Sequence, residues 1–124
     1  MLAAERRHRV LLIDDDLTGL MARQALLESR GYDVLTSETD THALDLLQRV
    51  PVDLVVSDHF LRGTTGGALA ARIKQLAPHI PVLVVSGAFQ HELAPESLGG
   101  ADLFVSKADG PDALLHAVAS MLNA

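Results

Sequence analysis

The sequence predicts an α/β domain of the doubly wound type, with a five-stranded parallel sheet between two layers of helices, and three observations carry that reading. Short apolar runs alternate along the chain with longer stretches whose apolar residues recur at helical spacing. Three of the short runs are apolar without alternation, as strands covered on both faces are. The 124 residues amount to one domain, and 48% hydrophobic residues are enough to fill a single core.

Each element follows in order. Residues 10–13 read as the first strand. Leu17, Leu20, Met21 and Leu27 lie near one face of the first helix, which Gly31 ends. A second strand over 33–36 leads to a second helix marked by Ala43, Leu44 and Leu47 and stopped before Pro51. The third strand is placed at 52–56, and Leu69, Ile73 and Leu76 give the third helix its stripe, with Pro78 beyond its end. After a fourth strand at 82–85, a fourth helix has to fit between Phe89 and Gly99 with Pro95 inside it. A fifth strand at 103–105 precedes a last helix carrying Leu114, Val118 and Met121, with Pro111 suited to its first turn. Parallel connections are right-handed almost without exception, so this (βα)5 pattern winds into an open three-layer sandwich. In such folds ligands sit at the carboxyl ends of the strands.

Composition excludes several functions. Lys and Arg number 10 against 16 Asp and Glu, a net charge of −6 with histidine neutral. Nucleic-acid affinity comes largely from Lys and Arg neutralising phosphates, so no direct nucleic-acid partner is expected. Cysteine is absent, which removes disulfides, thiolate metal sites and cysteine nucleophiles and is compatible with a reducing compartment. No apolar stretch approaches the ~20 residues that span a bilayer. Glu5, Arg6, Arg7, His8 and Arg9 lead into a short apolar run and not into a signal peptide. A cytoplasmic protein with no membrane partner is expected, with residues 1–8 as a tail before a single domain over 9–124.

The residues that end each strand carry the chemistry. They are Asp14, Asp15 and Asp16 after the first, Asp58 after the third, Ser86 after the fourth and Lys107 after the fifth. Singly, each has a plain role: Asp15 or Asp16 as a helix cap, Asp58 and Ser86-Gly87 as turn residues, Lys107 as a surface charge. Jointly they fall on the predicted binding edge. Two carboxylates about 4 Å apart at an effective dielectric of about 20 repel by roughly 4 kcal/mol, so the cluster calls for a cation. Oxygen-only ligands select a hard ion, and Mg²⁺ is the usual one beside phosphate chemistry.

Four segments together, Val10-Leu-Leu-Ile-Asp14-Asp15-Asp16, Asp53-Leu-Val-Val-Ser-Asp58 with Gly63 and Gly66 behind it, Pro81-Val-Leu-Val-Val-Ser86-Gly-Ala, and Gly100-Ala-Asp-Leu-Phe-Val-Ser-Lys107, resemble the response-regulator receiver domain of two-component signalling, a CheY-like superfamily. The likeness runs from about Arg9 to Leu122. It implies a flavodoxin-like strand order, 2-1-3-4-5. It further implies that Asp58 is the phosphoacceptor, a carboxylate nucleophile that takes a phosphoryl group from a phosphohistidine on a sensor histidine kinase or a histidine phosphotransfer protein. Asp15 matches the direct Mg²⁺ (or Mn²⁺) ligand, joined by Asp58 and the backbone carbonyl of Phe60, with Asp14 acting mainly through water. Lys107 and Ser86 match the groups that contact the phosphoryl oxygens, and Phe104 the aromatic switch coupled to Ser86; Phe104 also reads simply as a core residue of the fifth strand. Phosphorylation would bias a two-state equilibrium in the fourth and fifth βα units. The implied protein catalyses only its own phosphorylation and dephosphorylation. With no output domain expected on the chain, its signal would be a protein contact on the fourth helix, fifth strand and fifth helix.

Several residues depart from the family's pattern. Arg62 stands where proline is common and brings a cation near the site. Ala108 follows Lys107 in place of a proline that is often cis, so a trans bond and a different aim for Lys107 are expected. Gly87 adds freedom after Ser86. Phe60 and Ala88 flank the path of water to the acyl phosphate, and neither side chain can orient an attacking water. The phosphorylated form is therefore expected to outlast that of a Phe60→Asn, Ala88→Glu double variant. His8, His42, His79, His91 and His116 are scattered, without the spacing of a zinc site. His59 adjoins Asp58, but strand alternation points it away.

Rival readings remain at this level. Asp14-Asp15-Asp16-Leu17-Thr18 also fits the D-x-D-x-T start of haloacid-dehalogenase-like phosphatases, with Asp14 as nucleophile, although Asp58 would then be idle and no cap insertion is evident. A flavodoxin-like nucleotide binder would want a phosphate-cradling loop where three carboxylates stand. A phosphorylation-independent scaffold would have no use for the full set of acidic, hydroxyl and ammonium groups. A receiver module cut from a hybrid histidine kinase is the alternative architecture.

Overall fold

A computed structural model describes residues 7–87 and 99–123. The chain runs β1 (Arg9–Ile13), α1 (Leu17–Glu28), β2 (Asp33–Ser37), α2 (Asp40–Arg49), β3 (Leu54–Asp58), β4 (Phe60–Leu61), β5 (Thr64–Thr65), α3 (Gly66–Leu76), β6 (Val82–Ser86), β7 (Leu103–Ser106) and α4 (Gly110–Leu122), with a 3-10 turn over Lys107–Asp109. The five longer strands form one parallel sheet in the order β2-β1-β3-β6-β7, the 2-1-3-4-5 order the resemblance implies. The expected helix between Phe89 and Gly99, together with Ala88 and His91, lies outside the described residues.

The sheet divides the core into two layers because successive strand residues face opposite sides. Val10, Leu12, Leu54, Val56, Leu83 and Val85 pack with Leu20 and Leu27 of α1 and Leu114 and Val118 of α4. Leu11, Ile13, Val55, Val82 and Val84 pack with Ala43 of α2 and Leu69 and Ile73 of α3. Capping fits the sequence: Thr39 Oγ1 accepts from the His42 N–H at 3.1 Å, and Thr65 Oγ1 accepts from the Ala68 N–H at 3.1 Å.

Three details differ from the sequence reading. β3 begins two residues later, at Leu54, because Asp53 is taken up with Arg9: the Arg9 N–H donates to Asp53 Oδ2 at 2.7 Å and the Asp53 N–H to the Arg9 carbonyl at 2.8 Å. β3 also runs two residues further than expected, so Asp58 is its last residue, as Ser86 is of β6. On α1, Leu17 and Met21 are 54% and 59% exposed. The stripe that turns inward is Leu20, Arg23 and Leu27, which carries a guanidinium in its middle. Beyond β3, a small antiparallel hairpin pairs Phe60 with Thr65 and Leu61 with Thr64 around Arg62-Gly63. Gly63, at a φ of +83°, lets the chain reverse there. Strands of two residues carry no periodicity for a sequence to display.

Candidate functional site at the carboxyl edge of the sheet

Asp14 leaves β1 with its N–H donating to the Ser37 carbonyl of β2 at 3.1 Å. The carboxylate is 2% exposed. One oxygen, Oδ1, accepts from the Asp16 N–H at 2.9 Å, and the other is ion-paired with the guanidinium of Arg23. Burial holds the Asp14 carboxyl above its usual range, and the charge of Asp58 pushes the same way. The Asp16 amide, Arg23 and Lys107 act against that rise. Asp15 is half-buried, with Oδ2 3.9 Å from Nε of Arg62. Asp16 occupies the N-cap position of α1 without a side-chain capping bond.

Asp58 ends β3 opposite Val85 of β6 and is 8% exposed. Lys107 Nζ stands 2.7 Å from Asp58 Oδ1. That oxygen has no aligned hydrogen bond, so the contact is an ion pair and not a hydrogen bond. Lys107 reaches it despite the departure at Ala108. The described residues contain no cis bond, as Ala108 led one to expect, but the lysine is not redirected. The chain turns through Lys107–Asp109, and the Ala108 N–H, which a proline would lack, donates to Ser106 Oγ at 3.2 Å.

Ser86 is fully buried at the end of β6, in register with Ser106 of β7. Phe104 is half-buried against the α2–α3 layer. Its ring lies 5.5 Å from that of His59, and Phe60, exposed at the rim, lies 4.9 Å from His59 on another side. His59 thus points away from the acids, as alternation requires, but into the interior: it is 1% exposed and its Nδ1 has no partner. Burial holds its ring below the ordinary histidine pKa, with Asp58 opposing more weakly. His8, His42, His79 and His116 are exposed, as expected. Ala88 lies outside the described residues.

The fold therefore gathers Asp14, Asp58 and Lys107, with Asp15 beside Arg62 at the rim. Among the described residues no three acidic or histidine side chains stand close enough to enclose a metal ion by themselves. Mg²⁺ does not need that, since it is commonly held through one or two carboxylates while keeping several waters. Hard oxygen donors and a buried Asp58 oxygen without an aligned donor fit such an ion. The sequence reading missed Arg23. Its signal was a charged residue at the inward position of the Leu20–Leu27 stripe, where burial demands a partner.

Fold and site together define a doubly wound α/β protein with an acid-and-lysine pocket at the carboxyl edge of its sheet. The family described as response regulator receiver domain matches residues 10–119, and the chain belongs to it, a signalling domain of two-component systems. It is 35% identical over 119 residues to the transcriptional regulatory protein GlrR of Escherichia coli K12, covering 92% of this chain and 26% of that protein. It is 31% identical over 117 residues to the Fimbriae Z protein of the same strain, covering 92% of this chain and 56% of that one. The chain thus spans between about a quarter and about half of the length of these relatives. Among solved structures, the receiver domain of an HD domain-containing protein from Pseudomonas fluorescens Pf-5 superposes with a TM-score of 0.87 at 30% identity, covering 99% and 92% of the two chains. The response regulator TrrA of Thermotoga maritima, in complex with Mg²⁺ and BeF, gives 0.84 at 25% identity, covering 93% and 99%.

Proposed function

We propose that Asp58 accepts a phosphoryl group from a phosphohistidine of a histidine kinase or phosphotransfer protein. The ion pair between buried Asp58 and Lys107, 2.7 Å apart beside Asp14, is the observation that carries this reading. An Asp58 carboxylate oxygen attacks phosphorus in line as the bond from phosphorus to the donor imidazole breaks, and the departing ring nitrogen recovers its proton from solvent. Lys107 faces Asp58 and then follows the charge onto the phosphoryl oxygens, and Ser86 donates a hydroxyl to them. Asp15, Asp58 and the Phe60 carbonyl would hold a divalent ion directly and Asp14 through water. When bound, that ion supplies positive charge against the phosphoryl oxygens. The Mg²⁺ complex of TrrA supports this assignment by likeness.

Phe104, on the edge strand β7, would carry a change at Ser86 outward, a role supported by the pairing of Ser86 with Ser106, two residues beyond Phe104. The phosphorylated state would signal to a downstream protein through that edge and α4. The phosphatase reading is not favoured: it leaves Asp58 without a task. Incubation with acetyl phosphate and Mg²⁺ should add one phosphoryl mass to the protein and none to Asp58→Asn. Equal modification of both would end the assignment.

A further inference from the structure

We propose that Arg23 is a resident counter-cation of the acidic pocket, which a divalent ion has to displace from Asp14. The inference rests on the reading that Asp14 and Asp15 take part in holding such an ion. Arg23 is a long cation on the inward stripe of α1, its side chain 16% exposed, and it ends on Asp14 Oδ2, whose residue is 2% exposed. A buried carboxylate is costly unless paired, so Asp14 secures the arginine as firmly as the arginine secures Asp14. Gly19, one turn earlier on α1, keeps the lane open. A Cβ at that position would lie 3.2 Å from Asp14 Oδ2 and 3.3 Å from Arg23 Nη2.

The competition follows from charge. Lys107 pairs with Asp58 and the exposed Arg62 stands near Asp15, so Arg23 supplies the buried counter-charge, at Asp14. A guanidinium only donates hydrogen bonds and cannot coordinate. A hydrated divalent ion that recruits Asp14 through water therefore meets a like charge on the same carboxylate. The arginine has somewhere to go. It lines a cleft of about 350 Å³ between α1 and the start of α4, whose walls include Leu26, Val105, Ser106, Lys107 and Pro111. Linkage is reciprocal: whatever the Arg23–Asp14 pair costs the ion, the ion costs the pair. Arg23 is a positioning residue that acts through Asp14.

Mn²⁺ titration followed by the electron-paramagnetic-resonance signal of the free ion separates this role from a merely structural one, in the parent, Arg23→Met, Arg23→Lys and Asp15→Asn. Arg23→Met should bind Mn²⁺ between about 5-fold and about 150-fold more tightly than the parent, the span of ordinary coupling between two ligands. Arg23→Lys, which keeps the charge, should stay near the parent. Equal or weaker binding by Arg23→Met, with Asp15→Asn binding far less than the parent, overturns the inference and leaves the metal reading standing. No saturable binding in the parent, in Arg23→Met or in Asp15→Asn overturns both. Should Arg23→Met not fold, the side-chain Nε–H resonance of Arg23 in the parent decides: it should move saturably with Mg²⁺, and a fixed resonance at saturation refutes displacement.

Discussion

His59 is 1% exposed, its Nδ1 meets no partner, and the rings of Phe60 and Phe104 lie 4.9 Å and 5.5 Å away, so burial opposes a second proton and the charge of Asp58 only partly offsets it. Its folded pKa is therefore depressed below the unfolded value near 6.5. Below about pH 6.5 the unfolded chain binds a proton that the folded one refuses, and stability is lost as the pH falls, by at most about 1.4 kcal/mol per unit until the folded pKa is reached. His59→Phe removes that loss. In urea unfolding with EDTA present, parent minus variant stability should fall steadily from pH 7.5 to 5.5, the exposed histidines cancelling in the difference. A difference independent of pH would show that the ring is protonated in place. Strand alternation predicts the direction of His59 correctly. That "away from the acids" means the interior depends on α3 closing over the loop, which only the tertiary fold reveals.

The closing contact is made by the first residue of α3. The Gly66 N–H donates to the His59 carbonyl at 2.6 Å, and a Cβ on Gly66 would fall 2.6 Å from the Asp58 carbonyl oxygen and 2.9 Å from His59 Cα. Those are backbone atoms, which yield little, so Gly66→Ala has to move either α3 or the end of β3. Overpacking of this kind costs about 1–3 kcal/mol, and chemical denaturation should show a loss in that range; a variant as stable as the parent would mean that the element shifts freely. Because the displaced backbone belongs to Asp58, modification by acetyl phosphate should slow as well. At this scale the sequence was most informative where periodicity is long: each helix expected within the described residues is present, and Leu69, Ile73, Leu114 and Val118 are buried as the spacing requires, although Leu76, at the end of the α3 stripe, is 45% exposed. It was least informative where single polar contacts decide. The hold of Asp53 on Arg9 sets the start of β3, and Arg23 on Asp14 decides which side of α1 faces inward, leaving Leu17 and Met21 in solvent. Helical spacing alone cannot tell a leucine stripe bounded by an arginine from one that the arginine has joined.

The carboxyl edge can hold buried, mutually repelling acids only because the sheet beneath it is anchored on both faces. Val10 and Leu12 of β1 belong to the α1–α4 layer, and Leu11 and Ile13 of the same strand to the α2–α3 layer. The same interleaving holds in β3 and β6, where Val56 and Val55, and Leu83 and Val84, face opposite sides. Melting one layer therefore strips the facing residues of three strands and leaves the other layer resting on a sheet covered on one side only. Cooperative unfolding of the whole domain follows. Leu20→Ala in one layer and Ile73→Ala in the other should each cost about 2–5 kcal/mol, because both side chains are buried and leave cavities. More diagnostic is where the loss is felt. Tyr32, the single tyrosine in a chain without tryptophan, packs against the α1–α4 layer alone, so its fluorescence is a probe of that side, while far-UV circular dichroism reads both. The two signals should share one midpoint in the parent and in each variant, including Ile73→Ala, whose cavity lies across the sheet from Tyr32. Separate midpoints in that variant would mean that the layers unfold independently and that the acidic edge rests on less than the whole molecule.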